Sequence, residues 1–359
     1  MKFGFLIFCI LAMSIGTAAQ SGRIKPGETP VPNPTPRKYG TYIPTEARLP
    51  ENGDRPRVAP SPTSTPKFGD EEGVVKVESA LVPIPVSVVD AAGRAVLDLR
   101  LSDFELTVDG KPADISEMYR SETPIRLALL FDNSSSVLVA REFEKNAAIK
   151  FFRRVIRPEK DLAALYSVST VARLEQPFTR DISSLVRSIE LFPPPEGATA
   201  LLEGIIQAAE YLAEVQGRRV IVIVSDGDDT KSDATLEQTL KWLQVANCQV
   251  YVVKTTDFEN YKRTGLRGGN ANIRQLAAER RMIEISRQTG GAVYSPIDER
   301  ELDNAFRQIS AELSQQYVLS YYPEDESDKR GEFREIALAV KSKPDLTVRT
   351  RKGYYVPRK

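Results

Sequence analysis

Through the middle of the chain, short apolar runs alternate with stretches of helical period. Leu127 to Phe131 and Val220 to Val224 contain no polar side chain, as a parallel strand covered on both faces requires. Leu162 to Val168 and Val250 to Val253 read as further strands. Over residues 138–156, Phe143, Ala147, Phe151 and Val155 recur at helical spacing, and that helix stops before Pro158. Helices are also predicted over 182–190 (capped by Asp181), over 201–213, and from the capping box Thr235-Leu236-Glu237-Gln238 to about Ala246. Two more span 274–288, ended by Gly290-Gly291, and 299–315, with a short strand from Ala292 to Ser295 between them. Residues 256–272, with Gly265, Gly268 and Gly269, read as a long mobile loop near a partner. This order predicts an open, doubly wound, mostly parallel α/β domain.

Both flanks read as β. Val82 to Asp90 is strand-rich, Asp90 to Gly93 is a turn, and Phe104 to Val108 alternates with period two before Asp109-Gly110. After the α/β region come strands at Tyr317 to Tyr322, 333–341 and 346–351, with Lys343-Pro344-Asp345 as a turn. Three strands alone make a poor core. The C-terminal segment 313–359 is therefore expected to pair with the N-terminal segment 73–123 in one small β domain outside the α/β domain, 124–312.

The N-terminus differs from both. One lysine precedes the apolar run Phe3 to Ile15, and small residues follow to Ala19. That is the pattern of a secretory signal over 1–19, cleaved after Ala19, and the run is short for a membrane span. Residues 20–72 are expected to form an extended linker: eleven of the 24 prolines lie between Pro26 and Pro66, and such a stretch buries too little apolar surface to offset its ordering entropy. The expected protein is secreted or periplasmic, with no transmembrane span in the mature chain.

Composition narrows the chemistry. Of 359 residues 41% are hydrophobic, enough for a sizeable core, and 49 basic residues balance 49 acidic ones, so nothing draws the chain towards nucleic acid. There is no histidine, which removes the usual general base and the Ser-His and Cys-His nucleophile pairs. Only Cys9 and Cys248 are present, too few for a thiolate cluster or a disulfide framework; Cys248 reads as a small core residue.

In an open α/β sheet, ligands bind beyond the carboxyl ends of the strands. Three predicted loops there are rich in oxygen: Asp132-Asn133-Ser134-Ser135-Ser136, Gly197-Ala198-Thr199-Ala200-Leu201 and Ser225-Asp226-Gly227-Asp228-Asp229. Each alone is consistent with a capped turn; Thr199 suits a helix N-cap, and Asp228 and Asp229 read as solvated neighbours or caps. Together they offer carboxylates and hydroxyls with no nitrogen or sulfur donor, the ligand set of a hard divalent cation: Mg²⁺, or Mn²⁺ or Ca²⁺. If the first loop is extended, Asp132, Ser134 and Ser136 point the same way.

This constellation resembles the metal-ion-dependent adhesion site of von Willebrand factor type A domains: Asp-x-Ser-x-Ser, then a Thr before a helix, then an Asp closing a strand as Ser-Asp-Gly. Ser135 and Ala198 stand where that family often has Gly. The flanking segments Val86 to Asp90, Leu101 to Phe104, Gln316 to Pro323 and Arg351 to Tyr355 resemble a bacterial secreted subgroup. The resemblance implies that Ser134, Ser136 and Thr199 ligate the ion directly and that Asp132 and Asp226 act largely through water. It also implies a binding module, not an enzyme, whose protein partner completes the metal shell with an Asp or Glu. The alternatives are a Mg²⁺-dependent hydrolase or phosphotransferase using Asp132, and a structural envelope protein with a vestigial site. The enzyme would want a second acid where Ser134 stands, and no phosphate-cradling Gly-rich loop follows the first strand.

Overall fold

A computed structural model describes residues 81–120, 123–138, 140–266, 272–323, 329–341, 343 and 345–357. The expected signal and linker, 1–19 and 20–72, and the start of the segment 73–123 lie outside the described residues.

The N-terminal flank supplies β1 (Val82–Val89), β2 (Phe104–Val108), β3 (Lys111–Ala113) and β4 (Glu117–Arg120). The central region runs β5 (Ile125–Asp132), α1 (Arg141–Val155), β6 (Leu162–Val168), β7 (Ala172–Thr179), α2 (Ile182–Glu190), α3 (Leu201–Ala213) and β8 (Arg218–Ser225). It continues through α4 (Leu236–Val245), β9 (Cys248–Lys254), α5 (Thr256–Thr264), α6 (Ile273–Thr289), β10 (Val293–Tyr294) and α7 (Glu299–Gln315). The C-terminal flank is β11 (Tyr317–Tyr321), β12 (Phe333–Val340), β13 (Thr347–Thr350) and β14 (Gly353–Tyr355).

The central sheet has the order β10-β9-β8-β5-β6-β7. All neighbours are parallel except β6 and β7. One apolar layer joins α1 and α7 to this sheet, with Phe131, Phe151 and Phe306 at its centre, and a second layer packs Ile205, Leu212 and Met282 on the opposite face. Both faces of β5 and β8 are thereby dry, which is why their runs are apolar throughout. The chain leaves β5 towards β6 on one side and returns to β8 on the other, so β5 is the topological switch point.

The flanks interleave. β1 pairs with β11 and β13, and β4 with β11, in one four-stranded antiparallel sheet; β2 pairs with β12 in the second, β14-β12-β2-β3. Ile84, Val86, Leu106, Tyr317, Leu319 and Ile336 fill the space between them. Pro83 and Pro85 fall where β1 has β11 as its neighbour and β13 has not yet joined, so neither missing N–H interrupts a ladder on both sides. Glu312, near the end of α7, ties this sandwich to the α/β domain: it accepts hydrogen bonds from Tyr251 and Tyr294, both at 3.1 Å, and pairs with Arg349 of β13.

Several predicted elements change. The stretch 256–272 is not one loop. Its first part is α5, held by Phe258 stacked on Phe143 at 3.9 Å, and Gly265 ends that helix in the left-handed conformation (φ 71°); residues 267–271 lie outside the described residues. The glycine taken for loop composition is a helix stop. β7 is an additional antiparallel edge strand whose side chains are mostly exposed or half-buried, so it carries no apolar run. Cys248 is buried, and burial pushes its thiol up to about 12, leaving it inert as a nucleophile.

One polar contact sets the start of the central strand. Asp161, fully buried, accepts from the backbone N–H of Ile125 (2.8 Å) and Arg157 (3.0 Å) and from the Arg157 guanidinium (2.7 and 3.0 Å). Burial alone would raise its pKa, but the Arg157 side chain and the two N–H groups outweigh that, and the carboxyl titrates below the ordinary aspartate value. The folded chain therefore holds this proton less tightly than the unfolded chain does. The resulting stability is present above the unfolded pKa and is lost as pH falls through the folded one. Asp161→Ala is expected to cost about 3 kcal/mol in urea unfolding at neutral pH and to flatten the acid side of the stability–pH curve; an unchanged midpoint would show that the contact does not anchor β5.

Candidate functional site

Asp132 is the last residue of β5, and Ser225, the last of β8, lies beside it because the two strands run in parallel register up to Phe131 and Val224. The Ser225 hydroxyl donates to Asp132 Oδ2 at 2.5 Å and accepts from the N–H of Gly227 at 2.9 Å. The other oxygen, Oδ1, accepts from the N–H of Ser134 at 2.9 Å. The first loop is not extended throughout: Ser134 is, but residues 135–137 form a single 3₁₀ turn. That turn brings the hydroxyls of Ser134 and Ser136 to 2.9 Å from each other, and the Ser136 hydroxyl lies near enough to the Asp226 carboxylate to lower its pKa. Asp132, Ser134, Ser136 and Asp226 thus lie together as one group of oxygens.

Thr199 joins through its loop. The N–H of Ser135 donates to the carbonyl of Gly197 (3.2 Å), and that of Glu196 to the carbonyl of Asn133 (3.0 Å). Thr199 is buried, its N–H donates to Thr230 Oγ1 at 3.0 Å, and its carbonyl accepts from the N–H groups of Thr230 and Lys231. It is not the helix cap: Ala200 occupies that position and Asp229 accepts from the N–H of Leu202. The Thr199 hydroxyl is therefore spared the commonest local use of a threonine before a helix. Gly197 has φ +77° and a methyl there would run into Thr170 Oγ1. Ser135 and Ala198 are not among the positive-φ residues, so neither position needs the left-handed backbone that favours glycine.

The electrostatics are those of crowded carboxylates. Burial, then the nearby Asp226 carboxylate, raise Asp132 to about 7 against the hydrogen bonds from Ser225 and Ser134. Burial raises Asp226 as well, opposed by the Asp228 N–H and the Ser136 hydroxyl. Asp228 accepts an ion pair from Arg274 of α6 at 2.5 Å. Arg141, buried at the start of α1, lies over the Phe131 ring at 5.5 Å, donates to Asn133 Oδ1 and to the carbonyl of Pro193 (2.7 Å), and so stitches the first two loops together. A cleft of about 220 Å³ opens on this side, lined by Ser136, Asp226, Asp228, Glu259, Asn272 and Arg274 among others. A similar cleft of about 210 Å³ lies at the amino ends of β8 and β9, beside Arg218 and Gln249, far along the strands from these oxygens.

Sequence reasoning missed four contributors. Arg141 and Ser225 position the loops and the carboxylate; Ser225 lay inside the third loop but gave no sign of which way its hydroxyl would turn. Glu144 and Glu259 belong to helices and lie close enough for their charges to act on Asp132 and Asp226. An acidic residue on an otherwise apolar helix face was the available signal for Glu144. Among the described residues no three Cys, Asp or Glu side chains converge as a metal-binding group, so a cation here depends on hydroxyl oxygens as well as carboxylates.

Residues 127–228 match the family model of the von Willebrand factor type A domain. No curated protein matches the chain. Among solved structures, the chain is similar to BatB of Bacteroides thetaiotaomicron, at 16% identity over 53% of this chain and 98% of that one with a TM-score of 0.41. It is similar to a von Willebrand factor type A protein of Catenulispora acidiphila at 11% identity, 79% and 76% coverage and a TM-score of 0.43. The PilB minor pilin of Streptococcus sanguinis is 13% identical over 54% of this chain, with a TM-score of 0.41, and the chain spans 62% of its length. The match to the family model falls on β5 to the loop after β8, the segment that carries all five strand-end oxygen residues, and over that segment the chain resembles a von Willebrand factor type A domain.

Proposed function

We propose that this protein is a secreted, metal-dependent binding module in which Asp132, Ser134, Ser136, Thr199 and Asp226 hold a divalent cation, Mg²⁺ or else Mn²⁺ or Ca²⁺, for an acidic residue of a protein partner. The carrying observation is the grouping of one buried carboxylate, Asp132, one half-buried carboxylate, Asp226, and two serine hydroxyls at the switch point. Like charges this close, one of them fully buried, favour a bound cation, and an oxygen-only donor set suits a hard one. Hydroxyl ligands are neutral, so an ion held by Ser134, Ser136 and Thr199 keeps positive character for an incoming carboxylate. Exposed Leu138 and Ile273, beside the residues that line the cleft, offer apolar contact to a protein surface.

The enzyme reading has less behind it. Ser134, two residues after Asp132, is 1% exposed and its hydroxyl is engaged with Ser136, so it supplies no general acid. As for the membrane, no helix among the described residues is long and apolar enough to cross one. Secretion rests on the N-terminal pattern of the sequence.

Calorimetric titration of the metal-free chain with MgCl₂ is expected to show binding that Asp132→Ala weakens by at least about 100-fold and Thr199→Val by about 10-fold, with circular dichroism unchanged. Equal affinity in all three proteins would overturn the site. In a pull-down from envelope extract, a partner is expected with Mg²⁺ and not with EDTA; a partner retained equally in EDTA would leave the module metal-independent.

A further inference from the structure

We propose that Glu144, Thr255 and Glu259 form a second divalent-cation site, for a hard ion such as Ca²⁺ or Mg²⁺, behind the strand-end site. Glu144 lies one turn from Ala148 on α1, on the face that also buries Phe152 and Val155, and is 0% exposed. Neither of its carboxylate oxygens has a hydrogen-bond partner. The Thr255 hydroxyl, also 0% exposed, lies beside it without making a hydrogen bond of normal geometry, and Glu259 Oε1 is buried and unpartnered too. Of the seven buried side-chain atoms left without a partner among the described residues, these three side chains hold four. Buried polar groups are otherwise almost always satisfied, so the concentration at one place calls for a ligand.

The three side chains come from separate elements that the fold fixes. Thr255 follows β9, its N–H donates to the carbonyl of Ser225 at 3.1 Å, and its own carbonyl accepts from the N–H of Glu259 at 3.1 Å. The stacked Phe143–Phe258 pair holds α1 against α5. Basic groups nearby make their hydrogen bonds and ion pairs elsewhere, Arg141 on Asn133 and Pro193, Arg263 on Asn260, and Lys254 on Asp257 and Glu279, although the charges of Arg141 and Arg263 reach Glu144 and Glu259. Glu259 also lines the cleft that opens beside Ser136 and Asp226, which gives an ion a way in. Burial, then the Asp132 carboxylate, push Glu144 well above the usual carboxylate range, and a cation would offset both. With two carboxylates, one hydroxyl and water as its shell, the site falls among weak calcium sites, with a dissociation constant of about 10⁻⁴ to 10⁻³ M.

The site stands on its own residues, and the test separates it from the strand-end site. Equilibrium dialysis of the full chain against CaCl₂ and MgCl₂ would compare wild type, Asp132→Ala, Glu144→Gln and the double variant, with thermal unfolding of each in EDTA and in 5 mM ion, roughly five times the weaker expected constant. Two ions are expected in the wild type, one in each single variant and none in the double. Glu144→Gln is also expected to raise the midpoint in EDTA, because it removes a carboxyl that folding must either bury charged or force to take up a proton, and to lose part of the ion-dependent rise. Should it fail to fold, Glu259→Gln and Thr255→Val give the same count. One ion in Asp132→Ala that disappears in the double variant supports the second site, even where the wild type shows no more than that one. A Glu144→Gln protein that binds as many ions as wild type, with unchanged affinity, overturns it, as does a chain in which Asp132→Ala alone abolishes all binding; that last result leaves the strand-end site intact and Glu144 a neutral buried acid.

Discussion

The crowding of negative charge at the ends of two adjacent strands governs the architecture around the site. β5 and β8 are parallel and hydrogen-bonded, so their ends come within about 5 Å of each other. β5 ends in Asp132 and β8 runs into Asp226; the two helical layers keep water away from Asp132, while Asp226 is half-buried at the edge of the cleft. The polar contacts nearby answer that problem: the Ser225 hydroxyl and the Ser134 N–H on Asp132, and the Asp228 N–H on Asp226 with the Ser136 hydroxyl close by. Arg274 neutralises Asp228 at the rim. Hydrogen bonds of this kind lessen the repulsion but leave the net charge in place.

The β-sandwich is attached where it does not interfere. Its contacts with the α/β domain run through Gln316 to Ser87 and Arg218, through Arg351 to Asn247 and through Glu312 to Arg349. Arg218 and Asn247 lie at the amino ends of β8 and β9. The loops at the carboxyl ends are left clear of that junction. Each flank is too short to build a core alone, and β1 and β2 from one side and β11 and β12 from the other supply its opposing faces. The N-terminal and C-terminal segments therefore fold as one body although more than two hundred residues separate Val86 from Tyr317, which pair directly.

Much of this was legible from residue patterns where burial is complete. Leu127 to Phe131 and Val220 to Val224 announced themselves because both faces of those strands are covered. The capping box at Thr235, and the helix stop at Gly290, are local chemistry and needed no tertiary context. β7 escaped notice because an edge strand exposes most of its side chains and has no apolar run. α5 escaped because its amphipathic stripe is short, and Phe258, which fixes it, finds its partner Phe143 more than a hundred residues away.

The sequence by itself determined the alternation of strands and helices, the residue types available at the strand ends, and the exclusion of histidine and thiolate chemistry, because each of these depends on composition and on contacts between near neighbours. Only the tertiary structure decided which oxygens face one another. The 3₁₀ turn that brings Ser134 to Ser136, the Ser225 hydroxyl turned onto Asp132, and the burial of Glu144 and Thr255 without partners all depend on chain segments brought together by sheet register and helix packing, and no local pattern encodes the direction in which a side chain will point once those segments meet.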